Sequence, residues 1–158
     1  MFKQFQGLRA GSLICLAALL PLAPQLAQAQ NRMNPKAVAV TSMAPVTQVE
    51  AVQFSGQATV NSRLASDPDF GQPSLVMLFD LTGVTGVGAQ SGIRYVLTSQ
   101  EHVIRPHASN QNVEFAFPMA TDENAPIAKV RTGSARFVMN VDLGTGVITS
   151  VNAVMTSR

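Results

Sequence analysis

The sequence predicts an all-β protein: an antiparallel β-sandwich of about six to seven strands, with a small closed β-barrel as the alternative. Three observations predict it. Valine outnumbers leucine eighteen to six from Gln30 onward, and β-branched side chains suit a pleated surface better than a helix. From Val52 to Leu64 apolar or small residues alternate with polar ones, Ser62 being the exception. Clusters of Gly, Pro, Asp and Asn then separate short apolar runs, and no helical period fits between them.

The first 29 residues read as a cleaved signal peptide. Lys3 and Arg9 form a basic start, Gly11 to Leu20 is an apolar stretch, and Ala27-Gln28-Ala29 supplies a cleavage site. A membrane anchor needs about 20 apolar residues, and Pro21, Pro24 and Gln25 cut this run short. The expected location is therefore the periplasm or the medium of a bacterium, with no stable membrane span after cleavage. Processing removes Cys15, the single cysteine, and with it thiol catalysis and thiolate metal ligation. It also leaves nine basic against nine acidic residues, a neutral chain without the basic stripe that nucleic acid requires.

Residues 30–46 read as a loose N-terminal arm carrying at most one edge strand, Ala37 to Thr41, and 47–158 as a single sandwich domain. The alternating strand from Ala51 to Leu64 is expected to bend at Gly56. Leu75 to Leu81 is a continuous apolar run, expected as a central strand covered on both faces. The glycine-rich stretch from Thr82 to Gly92 reads as a flexible loop. Ile93, Tyr95 and Leu97 share one face of the next strand, and Gln100 to Gln111 reads as a polar connection. Val113, Phe115 and Phe117 line a strand that Pro118 should stop.

The last two strands can be read to their register. Gly144-Thr145-Gly146 fits a three-residue hairpin loop with Gly146 in the left-handed region. That pairs Leu143 with Val147, Val141 with Thr149, Met139 with Val151, Phe137 with Ala153 and Ala135 with Met155. A one-residue slip would mix the two faces.

Few features suggest chemistry. The Gly86-x-Gly88 loop precedes a strand rather than the helix that a dinucleotide site needs, so no cofactor is expected there. Seven aromatic residues after Gln30 are too few for the interfacial girdles of an outer-membrane barrel. No G-x-S-x-G motif marks a serine hydrolase. Six methionines after Gln30 are scattered, and Met77, Met139 and Met155 fall on core faces.

Glu101, His102 and His107 are the candidate zinc or copper ligands, and a site there would need a further ligand from a distant part of the chain. Asp67, Asp69, Asp122 and Glu123 are the calcium candidates, and they would also carry any hydrolase. The leading expectation is a small exported protein without catalytic chemistry, a binding or surface and periplasmic assembly component. It would meet a protein partner, or itself, through the N-terminal arm adding a strand to a neighbour's edge. A periplasmic metal-binding protein and an acidic-loop hydrolase are the alternatives.

Overall fold

The computed structural model describes residues 35–44, 50–66, 73–121 and 130–157. These form nine strands and no helix: β1 (Lys36–Met43), β2 (Val52–Ala65), β3 (Ser74–Asp80), β4 (Val84–Gly88), β5 (Arg94–Val96), β6 (Gln100–Pro106), β7 (Asn110–Thr121), β8 (Arg131–Val141) and β9 (Ile148–Ser157). The all-β expectation holds. The sheet is mixed rather than wholly antiparallel, because β1 runs parallel to β9. The signal segment and Asp67, Asp69, Asp122 and Glu123 lie outside the described residues.

All nine strands belong to one sheet, ordered β1-β9-β8-β7-β5-β4-β2-β3-β6, with β1 also paired to β2. That extra pairing closes the path through seven strands into a circuit, and β3 and β6 extend from β2 as a flap. The closing strand comes from the stretch expected as a loose arm. Instead of hanging free or forming an edge, β1 pairs with β2 through Lys36 to Ala39 and with β9 through Val40 to Met43. Val38 sinks into the core. A short apolar alternation among prolines reads as an arm, but two waiting strand edges make it a central strand.

β2 holds the circuit and the flap together. Its N-terminal half pairs with β4 and its C-terminal half with β3. Between Gly56↔Val84 and Thr59↔Asp80 the partner strand carries one extra residue. This bulge moves the buried positions from odd numbers (Leu75, Met77, Phe79, Leu81) to an even one (Val84), so the apolar side stays inward. Gly56 makes the close crossing. Its φ is +117°, and a Cβ there would lie 2.2 Å from the Gly83 carbonyl oxygen.

The core is aromatic at its centre. Phe79 on β3 meets Phe137 on β8 at 4.7 Å and Phe115 on β7 at 5.4 Å between ring centroids. Phe54 meets Phe117 edge-on at 5.9 Å. Met77, Met119, Met139 and Met155 fill the space around the rings with at most 1% exposure. Ser62, the exception in the β2 alternation, is buried and donates its hydroxyl to the Gly146 carbonyl at 2.8 Å.

Several local expectations change. The Thr82 to Gly92 loop contains β4, and Gln100 to Gln111 contains β6, paired with β3 over its whole length. Pro118 does not stop β7. It sits opposite Thr132 within the strand, where β7 has no described partner on its other edge until Ala120, and a free edge is where proline is tolerated. In the last hairpin, Ala135↔Met155, Phe137↔Ala153 and Met139↔Val151 hold as read, but Val141 pairs with Ile148. Asp142 donates its N–H to Val147 and closes four loop residues, so Thr149 is extruded and Leu143 is exposed. Gly146 does take the left-handed conformation, at φ +71°.

Candidate functional site

The outward side of β7, β8, β9 and β1 is where side chains from four strands converge without filling the space between them. Cross-strand register sets Glu114 beside Arg136, Arg136 beside Val154, and Val138 beside Asn152. Met43 from β1 lies beside Thr156. Together they line a concavity of about 380 Å³.

Its floor is backbone already committed to sheet hydrogen bonds, so recognition there falls to side chains. Val138 and Met43 are about half exposed, at 50% and 51%, and supply apolar contact. Arg136 donates from Nε to the Asn112 side-chain oxygen at 3.3 Å. Ser134, only 4% exposed, donates to a Glu114 carboxylate oxygen at 3.0 Å. A guanidinium, a carboxylate and an amide around an apolar centre suit a segment of mixed polar and apolar character.

The expected metal ligands are not brought to one point. Glu101 and His102 are neighbours on β6, so their side chains project to opposite faces of the sheet. Glu101 lies opposite Phe79 and His102 opposite Leu78. His107 follows the strand and is half-buried, with its Nε2 enclosed and lacking a hydrogen-bond partner among the described residues. Among the described residues no three His, Cys, Asp or Glu side chains group closely enough to hold a metal ion.

The glycine-rich stretch, expected as a flexible loop, is pinned. The Gln90 and Ser91 N–H groups donate to one Glu50 carboxylate oxygen at 2.7 and 2.5 Å. The Ser91 and Gln90 amides thereby hold the Glu50 carboxyl below its usual range. Gly88 leaves room for that carboxylate, since a Cβ would come within 2.7 Å of it. Arg131 completes the latch, donating to the Glu50 carbonyl at 2.9 Å while lying 5.9 Å from the Tyr95 ring centroid.

Sequence reasoning missed both Glu50 and the concavity. Glu50 lies some forty positions from the turn it caps, beyond any local motif. The concavity comes from polar positions on four strands that become neighbours only through register. The chain matches no protein-family model, no curated protein and no solved structure.

Proposed function

We propose that this is a small exported β-sandwich without catalytic chemistry, which binds a polypeptide segment on the outward face of β7, β8, β9 and β1. The single observation that carries the reading is the concavity of about 380 Å³ on that face. It combines an apolar centre at Val138 and Val154 with Arg136, Glu114 and Asn152 around it. Peptide segments present both kinds of group, and anchors in such a hollow are the commonest source of interface energy. The meeting of Phe79 with Phe115 and Phe137 supports two facing layers, with β1 and β2 passing between them, as strands do at the corners of sandwiches.

The alternatives have less support. Glu101 and His102 project to opposite faces, which removes the shared geometry of a metal site, and the hydrolase reading rests on residues outside the described set.

A photo-crosslinking side chain placed at Asn152, in the protein expressed from its full sequence in a bacterial cell, tests the reading. The expected result is an adduct in the periplasmic fraction that Arg136→Glu abolishes and Asn140→Ala leaves intact. The N-terminus of the recovered protein should be Gln30. An adduct indifferent to Arg136→Glu, or none at all, would remove the binding face. Recovery of unprocessed chain from the cytoplasm would remove export.

A further inference from the structure

β6 is the terminal strand of the sheet, and its outer edge carries no partner among the described residues. Which of its backbone groups face that edge follows from its pairing with β3. Leu81 N–H donates to the Ser99 carbonyl at 3.0 Å, one step beyond the Asp80↔Gln100 pair of the same register. Antiparallel pairs alternate between hydrogen-bonded and open. Glu101, Val103 and Arg105 therefore direct their N–H and C=O groups to β3, whereas His102 and Ile104 direct theirs outward. Pro106 faces outward too, with no N–H to offer, and its carbonyl accepts from the Gln111 side chain at 3.0 Å. The open edge is thus bounded at one end and centred on Val103.

The side chains make this edge self-complementary. Glu101, Val103 and Arg105 share one face and read acid, apolar, base. Turned about a two-fold axis through Val103, the same strand presents base, apolar, acid. On the other face Ile104, at 69% the most exposed large apolar side chain among the described residues, would lie opposite the partner's His102.

We propose that β6 is a homodimerisation seam, in which two copies of this chain pair antiparallel through their β6 edges with Val103 at the two-fold axis. Each Glu101 then faces the partner's Arg105, and each His102 exchanges both backbone hydrogen bonds with the partner's Ile104. The seam completes an edge that would otherwise invite indiscriminate strand addition. Of the registers that match outward groups to outward groups, this one sets opposite charges across from each other. Pairing His102 with the partner's His102 would place Glu101 across from valine. The assembly role expected of the N-terminal arm thereby passes to β6, since β1 is occupied on both sides. This seam is separate from the concave binding face, and either can fail without the other.

Sedimentation velocity over a concentration series, on the protein expressed from its full sequence, is the test. The wild type should dimerise. Glu101→Arg and Arg105→Glu each set like charges opposite one another twice per dimer and should weaken association about tenfold. The double charge swap should restore it. Ile104→Lys, at an exposed position, should weaken the dimer without changing the thermal midpoint of the monomer. A monomer at every concentration up to about 1 mM overturns the proposal, as does a dimer that ignores the single changes or is not rescued by the swap.

Discussion

Ser42 serves both backbone groups of Phe54. Its hydroxyl accepts from the Phe54 N–H at 2.5 Å and donates to the Phe54 carbonyl at 3.1 Å. Continuing the β1–β2 register, Lys36↔Val60 to Ala39↔Gln57, places these two residues opposite each other where β1 has already turned away to β9. Ser157 does the same duty one step along, accepting from the Val52 N–H at 3.3 Å and donating to the Glu50 carbonyl at 3.4 Å. Two serines thus replace a ladder where three strands meet.

Ser42→Ala should therefore cost more than an ordinary surface serine. It strands a donor and an acceptor beside a ring that is only 5% exposed, a loss of about 1–3 kcal/mol. Urea unfolding measures it, and a loss below about 0.5 kcal/mol, the level of ordinary surface changes, would contradict this account of the seam.

Two glycines with positive φ should respond differently to alanine. Gly56 is strained and blocked by the Gly83 carbonyl, so Gly56→Ala should cost well over the roughly 1–2 kcal/mol of a left-handed alanine, measured as loss of folded protein. Gly92, at φ +67°, has nothing within 4 Å of the added carbon, so Gly92→Ala should cost only that conformational term. Equal losses at the two positions would show that the crossing at Gly56 is not tight.

The enclosed Nε2 of His107 has no partner among the described residues, and an unsatisfied buried polar atom costs about 1–3 kcal/mol. His107→Phe should consequently raise the thermal midpoint. If it instead lowers the midpoint, and zinc or copper stabilises only the wild type, the nitrogen has a metal for a partner.

Three carboxylates should make stability fall on the acid side. Thr145 hydroxyl and amide hold Asp142 below its usual range, the Thr82 amide and hydroxyl do so for Asp80, and the Ser91 and Gln90 amides do so for Glu50. A carboxylate depressed in the folded state binds fewer protons than in the unfolded chain, so its contribution is present above the unfolded value and lost as pH falls through the folded one. The thermal midpoint should be insensitive to these groups above about pH 5 and decline below about pH 4.5. Asp142→Asn should make the decline shallower, and an unchanged slope would exclude Asp142 from it.

The strands legible in the sequence were those with one wet and one buried face, β2 and the β8–β9 pair, because alternation reports that difference directly. β4 was hidden by Gly86 and Gly88, which signal a loop, yet Gly86 is small because Val52 and Phe54 pack against it. β6 was hidden because an edge strand has little to bury. The hairpin loop was misjudged by one residue although Asp142 carried the clue: its carboxylate accepts the Gly144 and Thr145 amides at 2.9 and 2.8 Å, a turn habit of aspartate. The concave face had no local signature, since its polar and apolar groups meet only across strands.

The circuit closes between β1 and β9, strands far apart in the sequence. Lys36 reaches the carbonyl of Thr149, 113 residues away, and Val40 to Met43 pair with Ala153 to Thr156. β1 thus cannot be locked until β9 has been made, more than a hundred residues after it. Such distant pairings are slow to form. A nascent chain of this design stays unlatched until β9 has emerged, and an unlatched polypeptide is one that can still be threaded through a narrow channel.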